Sequence, residues 1–200
     1  HIITISNFVK NDLIKFTGVN PEKITVTLES ADELPKGNKP VDELIGKKFI
    51  MYIGRPTPHK NLRRLIDAFA LLQKKYPDLT LALAGKKDSN YARHETYVNK
   101  HGIKNVVFTG FISDEQLRWM YENTAVYCFP SLSEGFGLPG LEAMLHGAPV
   151  ASSTATCLPE THGDAAHYFD PFSVEDIAKS IDDILSDDKL RNELVKKGRK

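Results

Sequence analysis

The chain has 200 residues, 41% of them hydrophobic, and its 26 Lys and Arg are balanced by 26 Asp and Glu, for a formal net charge of zero. That length can bury one good core, and the balanced charge argues against general nucleic-acid binding, which needs a basic face. No signal peptide is visible and nothing approaches a membrane span, and two cysteines fit a reduced, cytoplasmic protein.

From the amino end, residues 2–5 alternate like a strand, and Ser6 or Asn7 can cap a helix carrying Phe8, Val9, Leu13, Ile14 and Phe16 that Gly18 stops. Residues 24–28 read as a second strand. Residues 29–46 are polar, hold Pro35, Gly37 and Pro40, and are expected to be a loop or linker. Residues 49–53 form a buried strand ending at Gly54. The loop 55–60 then leads to Asn61, read as the N-cap of a helix with Leu62, Leu65, Ile66, Phe69 and Leu72 on one stripe, ended by Pro77. Residues 79–84 are a strand ending at Gly85, 90–100 a polar, exposed helix, and 106–108 a strand ending near Gly110. Ser113 to Gln116 is a capping box. Residues 125–129 are a short apolar strand, with Cys128 as a core residue. A glycine-rich turn follows, then a helix with Pro139 in its first turn and Gly147 at its end. Residues 149–152 and 166–169 are strands. Helices carrying Ile177, Ile181 and Ile184, then Leu190, Leu194 and Val195, close the chain.

Strands alternating with helices from Phe49 onward predict an α/β fold, a Rossmann-like doubly wound parallel sheet with helices on both faces. Three parts are expected: 1–46, a strand-helix segment and linker belonging to another domain; 47–186, the Rossmann-like domain; and 187–200, a helix cut short. The chain begins at His1 directly in a strand-like run and ends in a helical charge pattern, so a piece of a longer protein is expected. Ligands of such sheets bind at the carboxyl ends of the strands. Glycines 54, 85, 110 and 135 lie there and would let a ligand approach the backbone.

The stretch around Gly135 and Gly137 carries most of the chemistry. Strand, glycine-rich turn and helix aim free N–H groups and a positive dipole end at an anion. Glu134 and Glu142, eight residues apart, bracket the turn. They can accept hydrogen bonds from a ribose and a sugar hydroxyl; they can equally be ordinary surface acids. Arg55 and Lys60 share one short loop and can clamp a diphosphate, or be a solvated basic loop. Together with the glycine turn they favour the clamp, and a nucleotide sugar as ligand. Ile112 can offer backbone groups to a base edge and Asp114 can accept from a base N–H, or serve as a first-turn acid. The loop is not a Walker A sequence, and the dinucleotide fingerprint is absent. His94 and His101 show no ligand spacing, and no metal site is expected.

These residues also carry a family resemblance. Residues 52–55 with 60–62, then 83–85, 107–112, 130–144, 147–150, 158–160 and 163–166 resemble the carboxyl-terminal, donor-binding domain of retaining GT-B glycosyltransferases of family 4, the group 1 glycosyltransferases. The resemblance implies that the chain is one half of a GT-B fold. Arg55, Lys60 and Glu134 would then be catalytic, the two cations binding the donor diphosphate and Glu134 the transferred sugar. Gly54, Gly85, Ile112, Asp114, Phe136, Gly137, Leu138 and Glu142 would bind the donor: backbone N–H groups of 136–138 would reach sugar and phosphate oxygens, Glu142 the ribose and Ile112 the base. No metal or other cofactor would be needed.

The expected donor is a nucleotide-diphosphate sugar. GDP-mannose is favoured over UDP sugars, because guanine offers a carboxylate at Asp114 two N–H groups and uracil one. The acceptor, a glycan or lipid-linked hydroxyl, would meet the missing amino-terminal domain, with peripheral membrane contact of the full-length protein at the cytoplasmic face. The isolated stretch should bind nucleotide without transferring sugar. The competing functions are a GT-B nucleotide-sugar epimerase and a non-catalytic nucleotide-binding module. Residues 29–32, Glu-Ser-Ala-Asp, depart from the turn common in the family.

Overall fold

The computed structural model describes residues 1–37 and 39–200. Its centre is a six-stranded, wholly parallel sheet. The strands are β3 (Phe49–Ile53), β4 (Thr80–Ala84), β5 (Val106–Gly110), β6 (Val126–Phe129), β7 (Val150–Ser153) and β8 (Ala166–Phe169), in the order β5-β4-β3-β6-β7-β8. The chain winds outward from β3 through β4 to β5, then returns to the other side of β3 to lay down β6, β7 and β8. A doubly wound sheet reverses at such a point, here between β3 and β6, and the crevice above it receives ligands. β1 (Ile2–Thr4) and β2 (Ile24–Val26) form a separate two-stranded parallel pair, linked by α1 (Asn7–Thr17).

Side chains alternate across each strand, so consecutive residues enter different cores. Ile50, Tyr52, Leu81 and Leu83 face one side, packed with Leu65, Ile66 and Phe69 of α2 (Leu62–Leu72) and Ile177, Ile181 and Ile184 of α7 (Val174–Ser186). Phe49, Met51, Ala82 and Ala84 face the other, packed with Met120 and Tyr121 of α4 (Asp114–Asn123) and Ala143 and Met144 of α5 (Leu138–Leu145). Both faces are covered, as a parallel sheet requires. The remaining helices are α3 (Ser89–Lys100), α6 (Leu158–His162) and α8 (Asp188–Gly198). Val41 and Leu44, inside the polar stretch expected to be a linker, are buried in the second core.

Local rules place the helix ends. Ser6 caps α1 by accepting from the Val9 N–H, and Gly18 closes it in the left-handed conformation. Ser113 and Gln116 form the full capping box of α4. Three readings change. Asn61 precedes α2 but makes no side-chain cap; it is left-handed and buried, and its amide donates to Pro130 O (3.0 Å) and Pro171 O (2.7 Å). α2 stops at Leu72, before Pro77. The α3 helix is not wholly exposed, since Tyr91 and Val98 are buried.

Candidate functional site

The reversal point is spanned by two loops. The loop after β3, residues 54–61, and the loop after β6, residues 130–137, are joined by a Leu132 N–H bond to His59 O (2.7 Å) and by Asn61 on Pro130. Across this seam Lys60 Nζ meets Glu134 Oε1 at 2.5 Å. The Lys60 and Glu134 side chains are only 22% and 13% exposed, so water screens the pair poorly and both side chains are held in place. The Glu134 N–H donates to Thr156 Oγ1 (3.1 Å), and Cys157 Sγ donates to Glu134 O (3.2 Å), which fixes the backbone under the carboxylate. Arg55, on the same loop as Lys60, turns elsewhere: it is 77% exposed and reaches Asp88 Oδ2 at 3.4 Å.

Arg55 instead lines a cleft of about 510 Å³ at the carboxyl ends of β3, β4 and β5, together with Gly54, Gly85, Phe111, Ile112 and Asp114. Gly54 and Gly85 have positive φ (147° and 153°), and the Tyr91 hydroxyl is shared between Gly54 O (2.9 Å) and Ala84 O (2.7 Å), lacing the two strand ends together. The glycine turn follows β6, the strand on the other side of β3. Gly137, with φ of 100°, occupies the N-cap of α5 and offers no side-chain acceptor. Among the described residues, the N–H groups of Phe136, Gly137 and Leu138 meet no protein acceptor, leaving donors and a positive helix end free for an anion. Glu142, on α5, accepts from the Tyr121 hydroxyl (3.2 Å). Buried Tyr52, Tyr121 and Tyr127 lie beneath the two carboxylates. Burial above all pushes the three phenols up, helped by Glu142 at Tyr121, by Tyr91 and then Glu134 at Tyr52, and by the neighbouring tyrosines before the two carboxylates at Tyr127, so they stay neutral. Among the described residues no three or more His, Cys, Asp or Glu cluster so as to hold a metal ion, and no helix is long and apolar enough to cross a membrane.

The structure therefore sorts the residues singled out from the sequence into two groups. Gly54, Arg55, Gly85, Ile112 and Asp114 meet in the cleft. Lys60, Glu134, Phe136, Gly137, Leu138 and Glu142 meet at the β6 turn and its helix. The family model described as glycosyl transferases group 1 matches residues 36–200. The chain belongs to that family. It is 31% identical over 211 residues to O-antigen chain mannosyltransferase B of Escherichia coli, an alignment covering 98% of this chain and 54% of that protein. Sucrose-phosphate synthase from Thermosynechococcus elongatus superposes with a TM-score of 0.82 at 25% identity, over 98% of this chain and 52% of that one. Anabaena HepE, solved with UDP and glucose, superposes with a TM-score of 0.82 at 20% identity, over 98% and 56%. The fold is thus one Rossmann-like half of GT-B, and this group 1 chain spans between about a quarter and about half the length of the curated relatives it matches.

Several residues that shape this site show no periodicity or ligand spacing in the sequence. His162 of α6 is buried, with Nε2 3.2 Å from Gly137 O and Nδ1 3.2 Å from Ser152 Oγ. Its ring leaves no room for a side chain at Gly140. Glu160 takes the Asn7 N–H (2.7 Å) and Asn7 Nδ2 (2.9 Å) on one oxygen and the Phe8 N–H (3.0 Å) on the other, closing the start of α1. Ser6, the N-cap of α1, donates to Gly135 O (2.8 Å). The β1–α1 segment is thereby seated on the glycine turn itself. Glu160→Ala removes a carboxylate from a helix start and should lower stability by about 1–2 kcal/mol, read as a shift of the urea midpoint. An unchanged midpoint would mean that α1 is held without it.

Proposed function

We propose that this chain is the donor-binding half of a retaining hexosyltransferase that uses a nucleotide-diphosphate sugar, with GDP-mannose as the preferred donor. The observation that carries the reading is the Lys60–Glu134 contact at the sheet's reversal point, beside the free N–H groups of the α5 start and a cleft holding Arg55. A cation on one loop, and a carboxylate and bare amides on the loop facing it across the seam, match a ligand with phosphates next to sugar hydroxyls. The kinship with a mannosyltransferase and the fold shared with a protein solved with UDP and glucose support the same class of ligand.

In this reading the ion pair holds both groups ready before the donor arrives. The diphosphate takes up Lys60 and the amides of Phe136, Gly137 and Leu138, and Arg55 closes over it from the exposed side of the cleft. Lys60 and Arg55 offset the charge that grows on the leaving nucleoside diphosphate as the glycosidic bond breaks. Glu134, released from part of its contact with Lys60, accepts hydrogen bonds from the sugar, and Glu142 accepts them from the ribose. Asp114 and Ile112 meet the base. We assign no resident metal to the reaction. The acceptor, a glycan or lipid-linked hydroxyl, is held by the other wall of the GT-B cleft, which also excludes water.

Calorimetry with GDP, UDP and GDP-mannose tests this. Lys60→Ala should weaken GDP binding by about 1.5–3 kcal/mol, the scale of a hydrogen bond to a charged group; an unchanged affinity in a chain with an intact circular dichroism spectrum would remove the clamp. Glu134→Gln should spare GDP and reduce the preference for GDP-mannose over GDP. Equal losses for both ligands would make Glu134 a structural or nucleotide-binding residue. Tighter binding of UDP than of GDP would overturn the base assignment.

A further inference from the structure

A second hollow, of about 280 Å³, opens where the start of α2 faces the start of α3. It shares no lining residue with the donor cleft. Arg63, Arg64, Arg93 and His94 line it, and no Asp or Glu does. Only one of the three guanidinium groups is offset. Arg63 lies over the Tyr97 ring and bonds Asp67 (3.1 and 3.3 Å), a carboxylate that also accepts from the Tyr97 hydroxyl (2.7 Å). Arg64 has a neutral partner, Asn61 Oδ1, at 2.8 Å. Arg93 is exposed and has no ion pair among the described residues. The nearby carboxylate of Asp88 is committed to the start of α3 and to Arg55. The charge is also placed against the helix dipole. The first turn of α2 carries Arg63 and Arg64 and no acid, where a helix favours anions. Such an arrangement repels itself while empty, and a bound anion relieves it.

We propose that this hollow is a binding site for a small phosphomonoester dianion, held by the forks of Arg93 and Arg64 with His94 at its side. Two guanidinium groups set around one hollow suit the several oxygens of a phosphate. Walls of helix on two sides and of the 56–58 loop on a third admit a soluble ester rather than a membrane surface.

The His94 ring signal in proton NMR, assigned by loss in His94→Gln, reads occupancy directly. Sodium phosphate, titrated above its second pKa and compared with sodium chloride at equal ionic strength, should move that signal saturably. The same shift should persist in Lys60→Ala, whose donor cleft is impaired, and should need at least about tenfold more phosphate in Arg93→Ala. An equal shift with chloride, an undiminished response in Arg93→Ala, or a response lost in Lys60→Ala would overturn the site; the last would place the phosphate in the donor cleft. Vesicles of phosphatidylglycerol should not be captured through Arg93, and capture abolished by Arg93→Ala would overturn the assignment to a soluble ester.

Discussion

Gly85→Ala is expected to cost the fold about 3 kcal/mol or more and to damage nucleotide binding with it. Gly85 ends β4 with φ of 153°, a conformation that side chains with a Cβ avoid. A Cβ placed there would lie 2.5 Å from the Gly54 carbonyl oxygen and 2.6 Å from the Tyr91 hydroxyl. Neither can step aside cheaply. Gly54 O is backbone at the end of the neighbouring strand, and Tyr91 is fully buried, with its hydroxyl already serving Gly54 O and Ala84 O. Backbone strain of about 1–3 kcal/mol and overpacking of about 1–3 kcal/mol therefore act together. Gly46→Ala separates the two causes, because Gly46 also has positive φ (73°) but open space around it; it should cost only about 1 kcal/mol. Urea denaturation of both variants checks the difference, and GDP calorimetry checks the cleft. Equal losses in the two would show that the clash at Gly85 relaxes.

Acid should loosen the glycine turn through His162. The Gly137 carbonyl can only accept, so Nε2 carries the proton and Nδ1 accepts from the Ser152 hydroxyl. A second proton would sit on Nδ1 in a dry site, and burial holds the pKa down to about 4 from an ordinary 6.5, against smaller opposing effects of the Gly137 contact and Glu134. The unfolded chain takes up the proton below 6.5 while the folded chain resists it until about 4. Stability is therefore full above pH 6.5, falls as pH drops toward 4, and loses about 3 kcal/mol across that window. His94 and His146 are also depressed, chiefly by burial, and act in the same direction. The test is accordingly a comparison. Denaturation free energies at pH 7 and near pH 4.5 should differ less in His162→Gln than in the parent chain. A parallel dependence in both would mean that His162 is not the responsible group.

Much of this protein is written locally in its sequence. The strand at 49–53, the α2 stripe, the Ser6 cap and the capping box at Ser113 depend on residues within a few positions of one another, so periodicity and capping chemistry find them. The alternation of strand and helix likewise implies a parallel sheet with ligands at its carboxyl ends, and it brings attention to Gly54, Gly85 and the 134–142 turn. The sequence does not say that β3 and β6 are neighbours, which is what carries Lys60 across to Glu134. It does not say that Arg55 leaves Lys60 for Asp88. Asn61 looks like a cap and serves as a buried tie, because its partners, Pro130 and Pro171, lie far along the chain. Tyr91 sits in a polar helical pattern, yet its hydroxyl closes two strand ends. His162 shows no spacing at all, Glu160 enters only within the 158–160 stretch that carries the resemblance and with no sign of its bonds to Asn7 and Phe8, and α6 is too short to have a period. These residues act through hydrogen bonds whose geometry exists only once the sheet order has been set. That order is decided by which apolar faces bury one another, and burial is a property of the whole chain rather than of any window within it.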